Sequence, residues 1–176
     1  YQQEPDSVLW CVRSDGTLLG FTYARAEEVV GWHRHILGGA FGSGQAVIES
    51  VASIPTDSNE DELYMIVKRT VNSVTRRYVE YLNLFDYGTD QKDAFFVDSG
   101  LTYSGSATTS ISGLDHLEGQ VVTILADGAT HPDKTVSSGA VTLDRSSSKV
   151  HIGLPYTSLL QTMRIESQGN EATSQS

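Results

Sequence analysis

His33 and His35 stand two residues apart in the apolar run Val29-Val30-Gly31-Trp32-His33-Arg34-His35-Ile36-Leu37. If that run is a strand, both imidazoles project from one face, a spacing at which two nitrogens can begin a metal site. No third ligand accompanies them, and two imidazoles without a carboxylate or thiolate make a poor site, so the pair reads as solvent-facing or interfacial beside Arg34. Asp57-Ser58-Asn59-Glu60-Asp61 matches the opening of a calcium loop, where alternating oxygens wrap the ion. Glu62 then stands where the sharp turn needs glycine, and Lys68 where the bidentate glutamate belongs, so the EF-hand pattern fails. The stretch Gly38-Gly39-Ala40-Phe41-Gly42-Ser43-Gly44-Gln45 is glycine-rich but lacks the Lys-Ser/Thr that meets nucleotide phosphates. No helix is expected after it, and it reads as a flexible connection between strands.

Serine, histidine and aspartate are all present, yet no Gly-x-Ser-x-Gly elbow occurs, and ordinary abundance accounts for them. Asp115 and Glu118 form a weak acid/base pair, because paired carboxylates act only in a cleft. His116 beside Asp115 reads as a capping or core contact, His131 before Pro132 as a turn residue, and His151 between Val150 and Ile152 as the wetter face of a strand. Cys11 is the sole cysteine, which excludes an intrachain disulfide and a multi-cysteine zinc site and fits a reducing compartment. Within Val8-Leu9-Trp10-Cys11-Val12 it reads as a small packing residue. No catalytic, cofactor-binding or metal-ligating residue is assigned on these grounds, and no enzyme is expected.

The elements that would hold these residues are β-strands. The chain has 176 residues with 39% hydrophobic and 19% charged, enough apolar material for a buried core. Twelve Lys+Arg against 22 Asp+Glu leave a net charge of −10, which disfavours a protein that grips nucleic acid by its phosphates. No apolar run approaches the roughly 20 residues of a membrane span, and residues 1–5 have neither the basic start nor the apolar segment of a secretory leader. The first residue is not Met and residues 167–176 are almost wholly polar, from which we expect a segment of a longer chain.

Ser14-Asp15-Gly16-Thr17 between two apolar runs predicts a hairpin, followed by a third antiparallel strand ending near residue 37. Residues 46–54 predict another strand, and Leu63-Tyr64-Met65-Ile66 opens a second hairpin that turns at Val71-Asn72-Ser73-Val74. That opening repeats the apolar, aromatic, sulfur, β-branched order of Leu9-Trp10-Cys11-Val12, as expected of stacked or radial β-units such as propeller blades. Beyond residue 97 Ser, Thr and Gly become dense, and short strands near 100–104, 120–126, 134–136, 140–143 and 150–154 predict a small barrel or sandwich. The expected organisation is an all-β chain: a propeller-blade-like antiparallel region over 1–97, a small β-barrel domain over 98–157, and a returning strand with a polar tail over 158–176. The returning strand is expected over 156–165, where one helical turn is the alternative.

The run from Leu9 through Asp15-Gly16 to Tyr23, followed by Gly31-Trp32-His33-Arg34-His35, resembles the nozzle proteins of short-tailed bacteriophages, also called tail tubular protein B. Val47-Ile48-Glu49-Ser50-Val51, Gly113-Leu114-Asp115-His116-Leu117-Glu118-Gly119 and Val150-His151-Ile152-Gly153-Leu154-Pro155-Tyr156 continue the resemblance in the same order. The second unit also looks like a small β-barrel module labelled as similar to a domain of ubiquitin-activating enzymes, a likeness of fold alone. The nozzle resemblance implies a non-catalytic virion protein: a six-fold ring at the distal end of the phage tail through which DNA is ejected. It implies neighbouring tail adaptor and fibre proteins as partners, passage of DNA without specific binding, no cofactor, and assembly from chains made in the host bacterial cytoplasm. The rival expectation is a carbohydrate- or receptor-binding β module using Trp10, Trp32, Tyr64 and Tyr103 as a sugar platform.

Overall fold

The Asp15-Gly16 turn forms as its residues dictate. Gly16 takes φ +82°, its N–H donates to the Arg13 carbonyl, and the Asp15 carboxylate accepts the Thr17 N–H at 3.1 Å. In the computed structural model, which describes residues 1–57, 60–83 and 87–162, this turn joins β1 (Val8–Val12) to β2 (Leu18–Ala24). β3 (Val29–His35) completes an antiparallel sheet in the order β1-β2-β3. The glycine stretch closes into a miniature hairpin, β4 (Ala40–Phe41) with β5 (Gly44–Gln45), turning at Gly42 with φ +59°.

A second three-stranded sheet follows, β6 (Val47–Pro55), β7 (Asp61–Val71) and β8 (Val74–Tyr81), in sequential order. Asn72 and Ser73 both adopt positive φ, the geometry whose twist matches a two-residue hairpin. The two sheets pack inner face to inner face. Leu18, Ala46, Ile48, Leu63, Met65 and Val67 are buried there, with Trp10, Val12, Leu37 and Val51 against them.

The remaining strands are β9 (Asp98–Ser112), β10 (Val121–Ala126), β11 (Ala129–Thr135) and β12 (Ala140–Leu154), ordered β11-β10-β12-β9 in one open antiparallel sheet. Asp127 and Gly128, at φ +50° and +78°, turn β10 into β11. Pro132 is tolerated because β11 is an edge strand. A separate core gathers Ile111, Leu114, Leu117, Val122, Ile124, Val136, Val141, Leu143, Val150, Ile152 and Leu154. The chain is all-β, and among the described residues its short helical pieces are single 3-10 turns at Arg25–Glu27, Gln91–Asp93 and Asp115–Leu117. Among the described residues no helix is long and apolar enough to cross a membrane.

Four strand expectations change. The expected strands 140–143 and 150–154 are one strand, β12, because the polar residues between them are paired through bulges, Ser147 opposite Thr108. The Asp127 carboxylate also accepts the Ser148 and Lys149 N–H groups, holding a segment with no apolar alternation. The strand expected at 100–104 runs to Ser112, paired with β12 along its length, and that expected at 134–136 begins at Ala129, directly after the turn. Residues 156–162 form neither strand nor helix: Leu159 and Leu160 have no apolar face beneath them and stay exposed. Residues 163–165 of the expected returning strand, and the tail to 176, lie outside the described residues.

Candidate functional site

Strand register places two sets of side chains on the outer faces of the stacked sheets. Leu9 lies opposite Phe21, Phe21 opposite Trp32 and Tyr23 opposite Val30. Phe21 and Trp32 meet at 4.8 Å between ring centroids, and Phe21 stacks on Tyr23 at 6.5 Å. Leu9, Tyr23, Val30 and Trp32 are all exposed, Trp32 by 64%. On the second sheet Tyr64 lies opposite Tyr81 and Ile66 opposite Val79. Ile66, Val79 and Tyr81 are exposed there, Val79 by 74%. A charged rim borders this second face, where Arg77 and Lys68 both bind the Glu49 carboxylate. Each sheet is therefore apolar on both sides, with one side buried against its neighbour and the other open to water.

The inner side carries the histidine pair. His33 Nδ1 and His35 Nε2 are 2.7 Å apart and hydrogen-bonded, and His33 Nε2 meets Thr22 Oγ1 at 3.0 Å. Trp10 packs against both rings, 5.5 Å from His33 and 5.3 Å from His35 between centroids. Of the two expected placements, solvent-facing or interfacial, the half-buried pair takes the interfacial one, because the inner face of β3 turns toward Trp10. Burial lowers the proton affinity of both rings, and the neighbouring His33 lowers that of His35 further.

The other sequence candidates are dispersed. His116 Nε2 donates to the Ser99 carbonyl at 2.8 Å. His131 sits within strand β11, not in a turn, and is buried; its Nδ1 donates to the Pro132 carbonyl while its Nε2 accepts the Asp144 N–H. His151 is buried as well, a correction to its expected wet face. Both sides of the end of β12 are covered, one by the core and the other by the preceding connection, where Lys92 O accepts from His151 Nε2 and the Phe95 ring lies edge-on at 5.4 Å. Cys11 is half-buried on β1 opposite Leu19. Asp61 accepts the Gln3 N–H through its side chain, while Ser58 and Asn59 of the calcium-like run lie outside the described residues.

Asp115 and Glu118 do border a cleft of about 430 Å³, shared with Asn72, Arg76, Tyr78 and His116. Both Glu118 oxygens accept backbone N–H groups, from Ser138 and Gly139, so this carboxylate caps a turn. Tyr78 donates its hydroxyl to the His116 carbonyl. No nucleophile stands beside a base here, and among the described residues no three His, Cys, Asp or Glu side chains are grouped to hold a metal ion. Arg76 and Tyr78 were not singled out by sequence, since only the approach of the second sheet to the Asp115–Leu117 turn brings them there.

The four proposed platform aromatics are also apart. Trp10 is turned inward and donates its indole N–H to Gln2 Oε1 at 2.7 Å. Trp32 and Tyr64 lie on the outer faces of different sheets, and Tyr103 packs on the second core with its hydroxyl on the Ser106 carbonyl.

These features define an all-β protein with exposed apolar residues on the outer faces of two stacked sheets. No protein-family model and no curated protein matches this chain.

Proposed function

We propose that this chain is part of a structural virion protein, the nozzle at the distal end of a short-tailed phage tail through which DNA is ejected, and that its role is assembly without catalysis. The observation that carries the reading is that both stacked sheets present a second apolar face to water, Leu9, Tyr23, Val30 and Trp32 on one and Ile66, Val79 and Tyr81 on the other. Sheets in a radial stack bury both faces against neighbours, as propeller blades do, and a lone pair of sheets leaves its outermost faces bare. In this reading the first unit supplies blade-like sheets, the second is a small barrel-type accessory domain, and copies join in a ring, six in number, next to tail adaptor and fibre proteins. A net charge of −10 is compatible with DNA passing through without being held.

A carbohydrate- or receptor-binding module is the rival. Sugar platforms pair an aromatic with hydrogen-bonding groups at its rim, whereas Trp32 and Phe21 are bordered by Leu9, Leu19 and Val30, with Arg34 and the Tyr23 hydroxyl as the polar neighbours on that face. Negative-stain electron microscopy of the full-length protein tests the proposal. Closed rings of six-fold symmetry with a central hole are expected. Monomers that persist after addition of purified tail adaptor, together with retention on a glycan array, would replace it with the rival.

A further inference from the structure

The N-terminal residues are fastened to both stacked sheets through Gln2, which also holds Trp10. Gln2 exchanges backbone hydrogen bonds with Val8 at 2.9 and 3.0 Å, accepts the Trp10 indole N–H, and donates its amide to the carbonyls of Glu4 and Asp61 at 3.2 Å each. Gln2 is buried, and Asp61 opens β7, so this residue ties β1 to the second sheet. Trp10 in turn rests on the hydrogen-bonded pair of His33 and His35. Gly20, opposite His33, is required there, since a Cβ would fall 2.1 Å from the His33 ring.

Two neutral imidazoles satisfy one another with one N–H and one lone pair, and a singly protonated pair keeps that bond. A doubly protonated pair cannot: both facing nitrogens then carry hydrogen, and two positive rings share a half-buried niche. The surroundings offer little relief. The inner face of β1 supplies Val8, Trp10 and Val12, that of β2 supplies Leu18, Gly20 and Thr22, and Arg34 on β3 is a further cation on the opposite face. The strap and the start of β7 bring Glu4 and Asp61, whose carbonyls hold Gln2, while the Asp61 carboxylate holds the Gln3 N–H at 2.6 Å. Leu63 and Met65 are the β7 side chains in the adjoining core.

We propose that the His33–His35 pair is a proton-operated clasp, which holds Trp10 and the N-terminal strap on the stacked sheets while the rings share a hydrogen bond and releases them when both rings are charged. Burial favours the neutral rings, so the clasp is closed at neutral pH and opens on acidification below the ordinary histidine range near 6.5.

The test is amide hydrogen exchange of Gln2 and Val8 from pH 8 down to the pH at which ring-nitrogen NMR shifts show both histidines charged, corrected for intrinsic rate, with Ile124 and Ile152 as core controls. The expected result is a tenfold or greater loss of protection at Gln2 and Val8 on acidification, with the controls unchanged. In His35→Gln, which keeps a neutral hydrogen-bonding side chain beside His33, that pH dependence should flatten. Ring-nitrogen NMR shifts of the unaltered protein give a second readout that needs no variant: the two histidines should titrate as a coupled pair in well-separated steps. Strap protection that stays constant through the pH at which the ring-nitrogen shifts report both histidines charged, an equal loss in His35→Gln, or two independent titrations at ordinary values would each overturn the proposal.

Discussion

The guanidinium of Arg69 on β7 is gripped by both carboxylate oxygens of Glu80 on β8, while its Nε donates to the Gly38 carbonyl at 2.8 Å. Arg69 is 1% exposed, one of the largest fully buried side chains in the chain. Gly39 beside it must lack a side chain, because a Cβ would meet Arg69 Cδ at 2.9 Å. The N–H of Gly38 itself donates to Asp98 Oδ2 at 2.6 Å. The two backbone polar groups of one glycine are thus held by an arginine of the second sheet and an aspartate at the start of β9.

Glu80→Gln leaves the Arg69 charge buried without its counter-charge. We expect a loss of about 3–5 kcal/mol in urea unfolding, the usual consequence of breaking a buried pair from one side. The double substitution Arg69→Met with Glu80→Gln should lose less than Glu80→Gln alone, since no unpaired charge remains. A double variant as damaged as the sum of the singles would refute the assignment of the cost to desolvated charge.

Burial raises the proton affinity of Asp98 above that of a free aspartate, partly offset by the Gly38 N–H and the Arg69 charge. A carboxyl raised in the folded state contributes stability that is complete below its unfolded value, about 3.9, and lost as pH rises through its folded value. Asp98→Asn keeps an oxygen for the Gly38 N–H and removes the charge. The native protein should therefore lose stability relative to Asp98→Asn between pH 4 and 7, measured as paired denaturation curves.

Gly20 and Gly31 sit on neighbouring strands and predict opposite outcomes. A Cβ at Gly20 would collide with the His33 ring, whereas one at Gly31 meets nothing within 4 Å. Gly20→Ala should destabilise by about 1–3 kcal/mol through forced displacement of the ring. Gly31→Ala should stabilise by about 0.5–1 kcal/mol by reducing the freedom of the unfolded chain. Thermal unfolding of the two variants checks both signs.

Trp32→Glu and Val79→Glu probe the bare sheet faces without disturbing either core. Each side chain is mostly exposed, so monomer stability should change by no more than about 0.5 kcal/mol. If the full-length protein assembles into the proposed ring, that assembly should be lost in either variant, as seen by sedimentation velocity. Normal rings would mean that these faces are not buried on assembly.

The local strand code was readable in the amino-acid order. Asp15-Gly16 and Asn72-Ser73 marked their turns because a positive φ admits few residue types, and apolar runs marked β1, β2 and the start of β7. The extra length of β9 and β12 was not readable: their Ser- and Thr-rich centres hold as strands through each other's backbone and the Asp127 carboxylate, which no alternation reports.

Sequence alone determined the all-β character, the sole cysteine and the acidic balance, because these follow from composition and from contacts between near neighbours. Only the tertiary structure decided where the chemistry-bearing side chains went. It turned His33 and His35 inward beneath Trp10, buried His151 against the connection before β9, tied up Glu118 in a turn, and brought Arg69 to the carbonyl and Asp98 to the N–H of Gly38. Those placements depend on which face of a sheet meets which partner, and burial of a face is set by elements distant in the chain, so no local pattern encodes it.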